Sequence, residues 1–275
     1  MKREHTHTEH DTSMEAKGDL NRLCTKLEDH LNANKHILDR HGNYRTSISK
    51  LRWVFKVGEA TVNPAFIDYV RQGHQGYVKH TLNNWGVCIK SVEERLLEKC
   101  GSDNELYDAT ITAYHIAAKI FSRIDPDYTK GYYAIQFSCM DEQGHYVEWH
   151  TDFKDITFQY LLGLGNHSGA WIRTCGKDIN YRHRVVKMDG RLGHEVVTEE
   201  FKGTRFAVIA YKGYDERITE PTPILMEPEI VFSMDSATDP NPIAMATGKK
   251  RKRHEEAPIL PCRARKEAGF YDEMD

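Results

Sequence analysis

The spacing of apolar residues changes near residue 131, and the change separates two regions of different texture. In the first, Leu20, Leu23, Leu27 and Leu31 recur every three or four positions. That stripe predicts an amphipathic helix beginning at Asp19 and ending at His41-Gly42-Asn43, with Gly42 as its cap. His30 and His36 fall on its polar side. Residues 51–58 (LRWVFKVG) carry the residue types of a strand. Asn63-Pro64 opens a further helix, AFIDYVRQG, with proline in its first turn. In SVEERLLEKCG (91–101) a serine cap, early acids and a terminal glycine predict another helix. The stretch 104–126 predicts a longer one with Leu106, Ile111, Tyr114, Ala117, Ala118 and Phe121 inside, stopped by Asp125-Pro126.

After Gly131 the helical period disappears. YYAIQFSCM, HYVEWHTD, TFQYLLGLG, GAWIRT, YRHRVVKMD, LGHEVVTEEF and TRFAVIAYK are short and rich in β-branched and aromatic residues. Turn residues such as Asp141 to Gly144, Gly165-Asn166-His167 and Asp189-Gly190 separate them. This pattern predicts an antiparallel sandwich or barrel. The expected organisation is a disordered polar lead (1–18), a helical support region (19–130), a β core (131–215) and a flexible, basic C-terminal tail (216–275). The expected fold class is α+β, with N-terminal helices buttressing the β core.

Composition narrows the function classes. Of the 275 residues 39% are hydrophobic, enough for a real core. Lys and Arg number 38 against 41 Asp and Glu, which excludes a uniformly basic coat for nucleic acid but not a local patch. One such patch is Lys249-Lys250-Arg251-Lys252-Arg253, readable as a nuclear-localisation-type run, a phosphate contact or a solvated cluster. No apolar run reaches the ~18 residues of a membrane span. The polar start has no apolar signal segment, so an intracellular protein is expected. The six cysteines form no C-x-x-C pair and are expected to be thiols.

Fifteen histidines raise the question of a metal. His150-Thr151-Asp152 places an imidazole and a carboxylate at i and i+2, on one face of a strand. His194, in a later strand-like stretch, supplies a second imidazole. Two histidines and a carboxylate occupy one face of an octahedral Fe(II) and leave three positions open for a chelating cosubstrate and O₂. Arg205 opens the apolar stretch RFAVIA, where its guanidinium should seek a planar anion, either the far carboxylate of 2-oxoglutarate or, in a surface salt bridge across a turn, Glu199 or Glu200. Tyr133 or Tyr160 offers a hydroxyl to the same cosubstrate or is ordinary core. Arg173 contacts substrate or cosubstrate, or is a solvated strand-end residue. Trp149 and Trp171 flank the site in sequence; either they stack on a flat substrate or, as we expect, they pack in the core. His145 is expected to be structural or exposed, and His167 and His183 to be exposed.

The HTD motif, the RLGHEV segment and the KGTRFAVIAYK strand together resemble the double-stranded β-helix (jelly-roll, cupin-like) core of Fe(II)/2-oxoglutarate-dependent dioxygenases over about residues 130–213. The closing part most resembles the branch containing the TET and J-binding-protein oxygenases of thymine and 5-methylcytosine. The resemblance implies iron held by His150, Asp152 and His194, and 2-oxoglutarate held by Arg205 with Tyr133 as a further contact. It also implies ascorbate as a reductant, O₂ as cosubstrate and a nucleobase methyl group in DNA as substrate. Two features depart from that branch: there is no cysteine-rich zinc region, and Phe153-Lys154-Asp155-Ile156 replaces the small residues of a roomy base-recognition loop. Open alternatives are a hydroxylase of a protein side chain or small molecule, a metal barrel that uses no 2-oxoglutarate, and a non-catalytic β-barrel interaction module.

Overall fold

The structure, a computed structural model, describes residues 5–41, 53–57, 92–129, 133–141, 147, 149–213, 223–235, 237 and 239–246. The expected helix AFIDYVRQG, the Gly42 cap, His145 and the basic run 249–253 lie outside them.

Helices α1 (His5–Ala33), α2 (Lys35–His41), α3 (Val92–Cys100), α4 (Asn104–Ile124) and α5 (Pro126–Thr129) form one layer. Helix α1 begins at His5, inside the stretch expected to be a disordered lead. It also breaks at Asn34, whose carbonyl takes the N–H groups of Ile37 and Leu38 and so starts α2. Asp103 caps α4 by accepting the Leu106 N–H at 2.9 Å. The buried side of α4 is wider than its period predicts. Ala109, Thr110, Ala113, Ile116 and Ile120 join Leu106, Ala117 and Phe121, whereas Ile111, Tyr114 and Ala118 sit at the margin. The helix packs against both its helical neighbours and a sheet, and a single stripe cannot serve two partners.

The strands are β1 (Trp53–Val57), β2 (Ala134–Met140), β3 (Gln159–Leu164), β4 (Ser168–Thr174), β5 (Lys177–Ile179), β6 (Arg184–Met188), β7 (His194–Lys202), β8 (Arg205–Tyr211), β9 (Glu229–Ser233) and β10 (Ile243–Met245). They form a six-stranded sheet ordered β1-β2-β8-β3-β6-β9 and a four-stranded sheet ordered β10-β5-β4-β7, with antiparallel neighbours throughout. The molecule is therefore a mixed helical and antiparallel-sheet protein of the α+β class. Strands β9 and β10 fall within 216–275, expected to be a flexible tail; each adds an edge to one sheet through β6 and β5. Of HYVEWHTD, the described residues 147 and 149–152 belong to no named strand; they meet β7 through the bridge at His150 and the Val196 N–H to the Val147 carbonyl.

Two cores follow from the period-2 alternation of β2, β3 and β8. Ile135, Phe137 and Cys139 of β2, Tyr160, Leu162 and Leu164 of β3 and Phe206, Val208 and Ala210 of β8 face the helices. Leu161 and Ala207 face the other way and meet Ile172, Ile179, Tyr181, Val186, Met188 and Val196 between the sheets. Polar pins join helix to helix and helix to sheet. His30, expected on the solvated side of α1, places Nε2 2.8 Å from the Ala109 carbonyl of α4. His183 is half-buried, with Nε2 3.2 Å from Glu28 Oε2 on α1. Burial pushes the Glu28 carboxyl up, but the His183 contact and the nearby Arg182 outweigh it and hold it below its ordinary value.

Phe121 is buried at the centre of the helix-facing core, against the Tyr160 ring of β3. Phe121→Ala is expected to destabilise the protein by about 3–5 kcal/mol. Denaturant unfolding followed by circular dichroism checks this; a loss under ~1 kcal/mol would show that α4 and the sheet do not share a core.

Candidate metal centre

His150 and His194 come from separate stretches and meet through two reciprocal backbone hydrogen bonds, His150 N–H to the His194 carbonyl and the reverse, each 2.9 Å. A doubly bonded antiparallel pair puts both side chains on the same face. The rings lie 4.2 Å apart between centroids. That face is the inter-sheet one, because Val196, two residues along β7 from His194, belongs to the inter-sheet core.

Asp152 follows at i+2 from His150 and turns its carboxylate toward both rings. Oδ1 is 3.7 Å from His150 Nε2, and Oδ2 is 3.6 Å from His194 Nε2. Among the described residues these three form the one group of metal-ligating side chains found with its ligand atoms within 4.8 Å of one another. Ligands about 2.1 Å from an ion and at right angles lie ~3.0 Å apart, so a small side-chain adjustment would close the set around a metal.

The surrounding contacts suit a ligand role. His194 Nδ1 donates to the Leu192 carbonyl at 2.9 Å, which leaves the Nε2 lone pair facing Asp152 and His150. Gln159 Nε2 donates to Asp152 Oδ2 at 3.3 Å, and the Asp152 N–H donates to the Gly190 carbonyl at 2.8 Å. His194 is buried, whereas His150 and Asp152 are partly exposed, so the group opens to solvent on one side. Two histidines and one carboxylate on one face are the donor set of non-haem Fe(II) sites with open positions, and the residues present fit such an ion.

A second polar group lies in the same inter-sheet space. Arg205 is only 3% exposed and, being two residues before Ala207, points between the sheets. Its Nη1 meets only the Met140 sulfur, at 3.7 Å, and its Nε makes no hydrogen bond. The guanidinium lies 5.4 Å from the centre of the Tyr181 ring, whose hydroxyl is also buried without a hydrogen bond. His167, expected to be exposed, is 1% exposed beside Tyr181 and Phe201, and neither ring nitrogen makes a hydrogen bond of normal geometry. Burial, then the Arg205 and Arg182 cations, push its pKa down to about 3, so the ring is neutral at pH 7. Buried donors of this kind are normally paired, and a carboxylate is what would pair them. His167 and Tyr181 were legible in sequence only as a turn histidine and a strand aromatic.

The other candidates lie elsewhere. Tyr133 is not brought to Arg205; it packs with the helix-facing core, and its hydroxyl interacts with Tyr114. Tyr160 also faces the helices and donates to Asp125 at 2.6 Å. The alternation that sends Arg205 inward sends both tyrosines the other way. Arg173 is committed to Asp178 and Glu195. Trp149, expected in the core, is 52% exposed beside His150 and packs on the Gly193 backbone.

No helix among the described residues is long and apolar enough to cross a membrane. No family model and no curated protein matches the chain. Among solved structures it is similar to NgTET1 in complex with 5mC DNA, at 15% identity over 73% of this chain and 71% of that one, with a TM-score of 0.33. A likeness of that size bears on neither fold nor activity.

A Cβ on Gly190 would lie 2.6 Å from Asp152 Oδ2 and 2.6 Å from Gln159 Nε2. Gly190→Ala is therefore expected to displace the Asp152 carboxylate and, if the group holds a metal, to lower Mn(II) or Fe(II) affinity by ~10-fold or more while the fold persists. Anaerobic calorimetric titration, with circular dichroism as the control for folding, measures it. Parental affinity in the variant would refute the close approach.

Proposed function

We propose that this protein is an Fe(II)- and 2-oxoglutarate-dependent dioxygenase that hydroxylates a nucleobase methyl group, 5-methylcytosine or thymine, in DNA. The observation that carries the reading is the presence, in one inter-sheet space, of a His-Asp-His face and a buried guanidinium with no anionic partner among the described residues. The chain order of the strands supports it. β2, β3, β6 and β8 fall in the larger sheet, and β4, β5 and β7 in the smaller, so the chain crosses repeatedly between two antiparallel sheets, as a double-stranded β-helix would require.

His150, Asp152 and His194 would hold the iron, with Nδ1 of His194 fixed on Leu192 so that Nε2 is the ligating atom. Arg205 would receive the far carboxylate of 2-oxoglutarate, with the Tyr181 hydroxyl and His167 beside it. Iron in such a site supplies O₂ activation, in which 2-oxoglutarate is oxidised to succinate and CO₂ as one oxygen atom enters the substrate. The chain's own part is to hold three ligands on one face, leave the opposite face open and bury the cosubstrate's tail away from water. The exposed indole of Trp149 next to His150 supports a flat substrate such as a base. Ascorbate as reductant, and nuclear residence through the 249–253 run, belong to the same reading.

Anaerobic addition of Fe(II) and 2-oxoglutarate should produce the weak visible charge-transfer band of the chelate. His194→Ala should abolish it. Arg205→Ala should weaken 2-oxoglutarate binding by roughly 10- to 100-fold with metal affinity retained, as expected for losing a charge-assisted hydrogen-bonded pair. A folded protein that gives no band removes the enzyme class. Succinate release that depends on methylated or thymine-containing DNA tests the substrate; its absence with every such oligonucleotide removes the substrate and leaves the class.

A further inference from the structure

The turn formed by Asp189, Gly190, Arg191 and Leu192 touches two of the three proposed ligands without supplying one. Its Gly190 carbonyl accepts the Asp152 N–H at 2.8 Å. Its Leu192 carbonyl accepts His194 Nδ1 at 2.9 Å. The orientation of both ligands therefore depends on the path of four residues.

A buried ion pair sets that path. The Asp189 carboxylate, with its side chain 0% exposed, accepts five hydrogen bonds. At Oδ1 the donors are Arg191 Nε (2.8 Å) and the Arg191 N–H (3.1 Å). At Oδ2 they are Arg191 Nη2 (2.7 Å) and the N–H groups of Ile224 (2.8 Å) and Leu225 (3.1 Å). The remaining arm, Arg191 Nη1, donates to the Ile156 carbonyl at 3.2 Å, across the loop that begins at Asp152. The Leu192 N–H returns to the Asp189 carbonyl at 3.1 Å. One carboxylate and one guanidinium thus join the turn, the Asp152 loop and the segment at 224–225.

Burying two charges costs desolvation, and apolar residues of the same volume would often stabilise a fold as well or better. What a fully bonded planar pair supplies is a fixed geometry. We propose that the Asp189–Arg191 pair is the positioning element of the metal centre, orienting Asp152 through Gly190 and His194 through Leu192. The inference rests on the reading of His150, Asp152 and His194 as metal ligands, and it assigns Asp189 and Arg191 a positioning role without contact to the ion.

Anaerobic Co(II) titration, followed by calorimetry and by the visible Co(II) spectrum, tests it on the full chain. Arg191→Ala should weaken Co(II) binding by ~10- to 100-fold and alter the band shape while circular dichroism remains parental. Arg191→Lys, which keeps the charge but loses the two-pronged contact, should fall between parent and alanine. The control is Arg184→Ala. Arg184 is equally buried and bonded to the Asn180 and Asp239 carbonyls, but it has no link to the ligands. It should lower thermal stability and leave Co(II) affinity unchanged. If Arg191→Ala does not fold, Arg191→Lys decides: weaker Co(II) binding supports the role and parental binding overturns it. The inference is also overturned if folded Arg191→Ala binds Co(II) as the parent does, or if Arg184→Ala loses as much affinity. Failure of the parent to bind Co(II) would remove the metal reading itself, a result distinct from a failure confined to the variants.

Discussion

Two reciprocal backbone hydrogen bonds between His150 and His194 are the constraint on which the rest of the site depends. They are ordinary sheet bonds, but they decide which histidine meets which, and on which face. With them in place, the i+2 rule brings Asp152 to the same side, and Val196 identifies that side as the space between the sheets. Every other feature of the centre adjusts this pairing. Leu192 sets the ring orientation of His194, Gln159 donates to the Asp152 carboxylate, the Gly190 carbonyl accepts the Asp152 backbone N–H, and the Asp189–Arg191 pair underlies the turn that carries the Leu192 and Gly190 contacts.

The second constraint is electrostatic. Arg205 Nε, the Tyr181 hydroxyl and the His167 ring nitrogens lie buried in the sandwich interior without a hydrogen bond of normal geometry among the described residues. Such a cluster is costly to a fold, and natural structures keep unpaired buried donors rare. Arg205 stands on the inward side of β8, and the carboxylate proposed above is what would pair it. The neutral state of His167 follows first from its burial and then from the two guanidinium groups nearby, which oppose a third positive charge.

The helical layer serves this arrangement indirectly. α4 and its neighbours cover the outer side of the larger sheet, so that β2, β3 and β8 are buried on both faces. Their sequences accordingly read as nearly continuous apolar runs, and the single polar intrusions that point inward, such as Gln159 and Arg205, are the informative ones. Tyr133 and Tyr160 illustrate the converse. Each is a plausible pocket residue by type, but each stands on the parity that faces the helices and is used there in hydrogen bonds to Tyr114 and Asp125.

By itself, the sequence determined the class of the fold, the positions of most strands, and His150 and Asp152 as neighbours on one face, because period-2 and period-3.6 patterns and the His-x-Asp spacing are local properties; that His194 lies beside them is a fact of the fold. Arg205 was legible for the same reason: a lone cation in an apolar strand is conspicuous. Tertiary structure decided what depends on partners distant in the chain. It added β9 and β10 as edge strands beyond the stretch that reads as core, because β6 and β5 had edges open to pairing. It exposed Trp149 and buried His167, since neither position sits in a periodic run that declares its face. It also gave Asp189, Gly190 and Arg191 their importance. In sequence they are a turn; only the folded backbone brings them against Asp152 and His194, where hydrogen bonds between segments dozens of residues apart fix the geometry that a spacing rule cannot express.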